Sequence, residues 1–175
     1  MKFDIFVDSS ANLTEKMIED YSIKVIPYVC MCNGKEVVCY ENGIPFSKAA
    51  EEFYTAMSKG AEVSTSLIPE ERIAAQFEFC DGVVHQLILL LIIAVSGTNH
   101  QANNAARELM KKYPERRIYV IDSANSGFGE GLLAVQAAKL RGMGEDVETC
   151  CKWLENNKFK LNSYFTVADL KYLRK

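Results

Sequence analysis

The chain has 175 residues, of which 49% are hydrophobic, 25% charged and 10% aromatic. That apolar fraction, with a net charge of −3, excludes a disordered chain and makes one globular domain the default at this length. Twenty basic residues against 23 acidic ones, with no basic block, argue against nucleic acid or an anionic membrane as partner.

The chain opens on an alternating strand, Phe3–Val7, with no secretory signal read ahead of it. A helix is expected from about Leu13 to Tyr21, with Asn12 and Glu15 at capping-box spacing. A second strand is expected over Ile23–Cys30. Asn33-Gly34 then marks a turn into a hairpin arm, Glu36–Tyr40. Ala50, Phe53, Tyr54 and Met57 stripe an amphipathic helix over Ser47–Ser58. Pro69 suits the first turn of the next helix, whose inner face would be Ile73, Phe77 and Cys80.

The nine-residue apolar run Leu87–Val95 is too short to span a bilayer, which takes about 20 residues, so stable membrane insertion is not expected. It reads as a central strand buried on both faces. A helix follows Ser96-Gly97-Thr98, with Thr98 and Gln101 at capping-box spacing and Ala102, Ala105, Ala106, Leu109 and Met110 inward. Ile118–Asp122 is the next strand. Helices follow over about Phe128–Leu140 and along Val147, Cys150, Cys151 and Leu154, then a last strand over Tyr164–Val167. This alternation predicts an α/β fold, doubly wound, with a mainly parallel sheet and helices on both faces.

Ligands in such sheets sit beyond the carboxyl ends of the strands. Four loops there are rich in small hydroxyl residues: Asp8-Ser9-Ser10, Ser64-Thr65-Ser66, Ser96-Gly97-Thr98 and Asp122-Ser123. Hydroxyls beside helix N-termini suit an anion or a carboxylate, although each also suits a plain helix cap. Catalytic machinery is not evident. His100 lies in the first turn of its helix with no orienting carboxylate, and His85 falls at the start of the central strand, away from the functional edge. No nucleophile elbow or Walker sequence occurs. Gly127-Phe128-Gly129-Glu130-Gly131 reads as a tight strand-to-helix turn. The six cysteines, Cys30, Cys32, Cys39, Cys80, Cys150 and Cys151, read as reduced core or strand thiols, with no metal site expected.

The same loops resemble the DegV family, bacterial fatty-acid-binding proteins of the FakB type. Asp8-Ser9-Ser10-Ala11-Asn12-Leu13, Ile26-Pro27, Phe53-Tyr54, Thr65-Ser66, Ser96-Gly97-Thr98, Asp122-Ser123 with Gly129-Glu130-Gly131-Leu132, and Asp169-Leu170-Lys171-Tyr172-Leu173 follow the family's motifs in order along the whole chain. The resemblance implies a non-catalytic, cytoplasmic carrier of a long-chain fatty acid, without cofactor. Its buried ligand would present a carboxylate to a separate fatty-acid kinase for phospholipid synthesis. Carried over to this chain, the ligand-binding residues are Thr65, Ser66, Ile93, Ser96, Gly97, Thr98, Ser9 and Ser123, with Thr65 the retained carboxylate donor. The alternative is an enzyme or sensor that binds a phosphorylated small molecule at the same edge.

Three departures stand out. Ile92-Ile93 replaces two family serines, Leu67-Ile68 replaces a Gln-Pro, and the chain stops at Lys175 ahead of the family's Gly-Gly-Arg-Ile segment. Residues 1–175 are therefore expected to be a single N-terminal domain without the family's second domain. Its exposed apolar face would favour weak ligand binding or a homodimer.

Overall fold

A computed structural model describes residues 3–38, 46–78, 87–92, 97–125, 127–164 and 166. In chain order the elements are β1 (Phe3–Asp8), a 3₁₀ turn (Ser9–Ala11), α1 (Glu15–Asp20), β2 (Ile23–Ile26), β3 (Val29–Cys32), β4 (Lys35–Val38) and α2 (Phe46–Ser58). Then come β5 (Val63–Thr65), α3 (Glu70–Glu78), β6 (Leu87–Ile92), α4 (Thr98–Lys112), β7 (Arg117–Asp122), α5 (Phe128–Gly142), α6 (Val147–Asn157) and a second 3₁₀ turn (Lys158–Lys160).

Four strands form a sheet in the order β2-β1-β6-β7, and every adjacent pair is parallel. Along β1 the side chains divide between two cores, as the period of two in a strand requires. Phe3, Ile5 and Val7 pack with α5 and α6 through Leu133, Ala134, Ala137, Val147, Cys150 and Leu154. Phe6 points the other way, onto Ile73 and Phe77 of α3 and the Ala102–Ala105–Ala106–Leu109 face of α4. The Phe6 and Phe77 rings meet edge to face at 5.2 Å. Burial on both sides is why β1 is apolar almost throughout. The predicted doubly wound α/β sheet is present.

The expected second strand, Ile23–Cys30, is two strands. Pro27 has no N–H to give to a ladder, so the chain leaves the parallel sheet there. Beyond it, β3 pairs antiparallel with β4 and β5 in a separate three-stranded sheet of order β4-β3-β5. Asn33 and Gly34 both take positive φ, 51° and 75°, the conformation that a two-residue hairpin turn demands.

Three helix details also differ from expectation. The first helix starts later, because Thr14 and not Asn12 is its cap, with the Thr14 Oγ accepting from the Met17 N–H at 3.2 Å. Asn12 is left-handed and ends the preceding turn. Thr98 is the first helical residue of α4, and the N-cap position before it is Gly97. Met110, at the margin of the apolar stripe of α4, is 36% exposed while Ala102, Ala105, Ala106 and Leu109 are buried. Near the C-terminus, Tyr164 is 93% exposed, and neither it nor Thr166 belongs to a strand.

Cys150 and Cys151 are buried on α6, and burial pushes their thiols up to about 11 and about 12. Cys30 and Cys32 are half-buried on β3. Cys39, Cys80 and His85 lie outside the described residues. Among the described residues no cluster of three or more metal-ligating side chains occurs, and no helix is long and apolar enough to cross a membrane.

Candidate functional site at the sheet switch point

In the order β2-β1-β6-β7 the chain runs from β1 to one side and later returns to the other. The crevice between the ends of β1 and β6 is therefore the topological switch point, where open parallel sheets bind ligands. The Ser9–Ala11 turn leaves β1 here, and α4 begins here after β6.

Several hydroxyl groups and backbone segments are tied together at this point. The Tyr28 N–H donates to the Ser9 Oγ at 3.0 Å, fixing the link between β2 and β3 onto the end of β1. The Tyr28 hydroxyl shares a 3.1 Å hydrogen bond with the Thr98 Oγ. Thr98 is fully buried, so its hydroxyl helps anchor the start of α4. Gly97 precedes it as the N-cap and brings no side chain to satisfy the first amides of a 15-residue helix.

Ser64 and Thr65, expected in a loop beyond the parallel sheet, instead belong to β5 of the small antiparallel sheet, with Ser66 following directly. Thr65 pairs with Cys30 across the small sheet, and the Ser66 N–H donates to the Val29 carbonyl at 3.3 Å. Leu67 then crosses over Gly97: a Cβ at Gly97 would sit 3.0 Å from both Leu67 methyls. A larger residue at 97 would push Leu67 away. Thr65 and Ser66 are exposed, and Leu67 is 48% exposed. Five of the expected residues, Ser9, Thr65, Ser66, Gly97 and Thr98, thus belong to one linked set. Tyr28, which helps hold that set together, was not singled out from sequence, the Pro27 break being the available signal; Leu67 stood out only as a departure from the family's Gln-Pro. Ser96 and Ile93 lie outside the described residues.

Ser123 is placed differently. It is fully buried at the end of β7, where its Oγ donates to the Asn125 carbonyl at 2.9 Å and accepts from the Asn125 N–H at 3.2 Å. Its hydroxyl is occupied in closing the turn into α5. Beside that turn lies a cleft of about 290 Å³, lined by Ala124, Asn125, Leu161, Asn162, Ser163 and Tyr164. His100 is exposed on α4 and lies 3.3 Å from the Asn104 amide, one turn on.

The turn into α5 packs tightly. Gly127 has φ of +59°, and a Cβ on Gly131 would lie 2.5 Å from the Ala11 carbonyl oxygen. Between Gly129 and Gly131, Glu130 is fully buried, and neither carboxyl oxygen has a hydrogen-bond partner. Burial first, then the field of Asp8, pushes its pKa up to about 10, with the Asp8 backbone N–H pulling weakly the other way. Asp8 is itself buried, and its Oδ1 accepts from the Ser10 N–H at 2.7 Å.

The set can do one thing well. It offers exposed hydroxyls and a helix start to an anionic group, with an apolar side chain, Leu67, at the rim. The described residues place no nucleophile beside a base in it.

A family model described as an uncharacterised protein family, DegV, matches residues 2–175. The chain belongs to the DegV family. A DegV domain-containing protein of Clostridium perfringens is 33% identical over 99% of this chain and 59% of its own length. One from Streptococcus pyogenes serotype M1 is 28% identical, covering 99% and 60%. The chain thus spans about six-tenths of the length of these curated DegV relatives. Among solved structures, a Ruminococcus gnavus DegV protein, described with vaccenic acid, superposes with a TM-score of 0.83 at 20% identity over 99% of this chain and 60% of that one. A Thermus thermophilus DegV protein described for fatty acid binding gives 0.78 at 24%, over 99% and 59%. A Streptococcus pneumoniae fatty acid kinase B3 protein loaded with linoleic acid gives 0.70 at 19%, over 91% and 55%. These likenesses establish that the chain has the DegV fold.

Proposed function

We propose that this chain binds the carboxylate of a long-chain fatty acid at the β1/β6 switch point and presents it to a partner fatty-acid kinase, acting as a cytoplasmic carrier. The observation that carries this is the contact of Leu67, which follows Thr65 and Ser66 directly in the chain, with Gly97 at the start of α4. Fatty acids in the descriptions of three DegV-fold neighbours support the same ligand class. In this proposal Thr65 and Ser66 donate to the carboxylate, Thr98 and Ser9 hold the loops, and Leu67 makes the first contact with the tail. Ser123 supports the rim through its turn, and Ile93 and Ser96, outside the described residues, stay ligand-binding candidates on the resemblance alone. Tail burial supplies most of the affinity, at about 0.8 kcal/mol per methylene.

Ile92 and Ile93 favour a second reading. They stand where the resemblance implies serines, and losing one hydrogen bond to a charged group costs about 1.5–3 kcal/mol. A ligand of different head group, such as a phosphorylated small molecule, fits that change. Native mass spectrometry with lipid extraction separates the two. A stoichiometric co-purified fatty acid, or uptake of one on addition, supports the carrier; an empty protein that takes up a phosphate ester instead overturns it. We also propose that residues 1–175 form one domain of the longer DegV architecture, and that a second domain or a second copy completes the enclosure of the tail.

A further inference from the structure

A fully buried carboxyl with no hydrogen bond and no cation beside it does not stay ionised, because leaving water costs the charged form far more than the neutral one. Glu130 is close to this case: among the described residues no cation acts on it, neither carboxyl oxygen has a partner at full hydrogen-bond geometry, and the Asp8 backbone N–H is the one donor that acts on it. It is wedged between two close-packed glycines at the joint of α5 with the Ser9–Ala11 turn. Of the elements packed on α5, β1 contributes Asp8, the one charged group among the described residues whose field acts on Glu130. Neither the Ser9–Ala11 turn nor β6 contributes a titratable side chain. Lys24 on β2 is engaged with Asp4, and the α6 thiols of Cys150 and Cys151 do not act on it.

From Asp8 a chain of contacts runs outward. The Asp8 carboxylate holds the Ser10 N–H, the Ser9 Oγ holds the Tyr28 N–H, and the Tyr28 hydroxyl meets Thr98. We propose that Glu130 is a proton-bearing positioning residue: in its neutral form it keeps the β1-end turn seated on α5, and any opening of that joint releases its proton. The turn ends at the loops assigned above to the carboxylate, so this extends the carrier proposal to a pH-dependent site. A raised pKa of about 10 in the folded chain agrees with the geometry.

The sign follows by linkage. The folded chain holds a proton that the unfolded chain lacks between the ordinary value of 4.5 and about 10. Stability is fully present below the first value and falls as pH rises toward the second, by about tenfold in the folding constant per pH unit. The test is denaturant unfolding from about pH 6 to about pH 7.5, below the ordinary thiol value of 9.0, so that Cys150 and Cys151 stay essentially protonated in both states. Wild type should lose stability with the slope of one proton more than Glu130→Gln. Amide exchange supplies the local arm: protection at Ser10 and Tyr28 should fall with pH relative to Glu130→Gln.

Equal pH slopes for the two proteins overturn the proposal. So does protection at Ser10 and Tyr28 that ignores the substitution. Should Glu130→Gln fail to fold, the ¹³C carboxyl resonance of Glu130 in wild type decides, and a midpoint near 4.5 overturns it. None of these arms needs a ligand. A fluorescent fatty acid that never binds therefore counts against the carrier proposal alone, while one that binds should weaken with pH more in wild type than in Glu130→Gln.

Discussion

At Gly131 two demands conflict. Alanine is the better helix former by about 1 kcal/mol, yet a Cβ there would stand 2.5 Å from the Ala11 backbone oxygen and 2.9 Å from a Leu13 methyl. The backbone atom cannot swing aside as a flexible side chain would. Gly131→Ala should therefore destabilise, by about 1–3 kcal/mol, with chemical denaturation as the measurement. An unchanged or raised midpoint would mean that the joint between α5 and the Ser9–Ala11 turn is loose. The sequence showed the glycines as a tight turn, and that was legible because glycine has so few other reasons to recur. The role of Glu130 between them was not legible. A glutamate in a first helical turn ordinarily faces water and the helix dipole, and only the packing of Ala11 and Leu13 on Gly131 reveals that it is shut in. Thr65 and Ser66 were legible as small hydroxyl residues but not as the end of β5, and Leu67 was legible only as a departure from the family motif; its contact with Gly97, 30 residues on, follows from no local pattern.

Among elements, the layer on which Phe6 sits depends on α3. Ile73 and Phe77 are fully buried there, and Phe77 closes on the Phe6 ring. Removing that ring leaves a cavity under the central strand, so Phe77→Ala should cost about 3–5 kcal/mol in thermal or denaturant unfolding. A loss under about 1 kcal/mol would show that α3 repacks easily. Elements with strong periodicity were readable: Ile73 and Phe77 of α3, Ala102, Ala105, Ala106 and Leu109 of α4, and Val147, Cys150, Cys151 and Leu154 of α6 follow from spacing, while Met110 falls at the margin of its stripe. The break at Pro27 was misplaced because Tyr28, Val29 and Cys30 continue the apolar, strand-favouring pattern. Pattern alone does not say that the hydrogen-bond partner has changed from β1 to β5. The cap of α1 was misplaced for a similar reason: Asn12 and Thr14 are both good caps, and the left-handed backbone at Asn12 decided between them.

For the whole molecule, ligand and stability are one equilibrium. A ligand that binds only the folded chain stabilises it by about 2.7 kcal/mol at one hundred times its Kd. In a chain of this size each kcal/mol is worth about 2–4 °C in Tm. A long-chain fatty acid at saturating concentration should therefore raise Tm by several degrees, and a phosphorylated small molecule should not. Thr65→Ala tests the same site from the protein side. Thr65 is exposed at the end of β5, so its loss should move the ligand-free Tm little. If it donates to the carboxylate, affinity should fall about tenfold to 150-fold, and the thermal shift at fixed ligand should shrink with it. A fatty-acid shift that survives Thr65→Ala unchanged would move the head group elsewhere along the same edge, toward Ser66 and the start of α4. No shift in either protein, with tail burial worth about 0.8 kcal/mol per methylene, would mean that the tail is not enclosed by these residues alone.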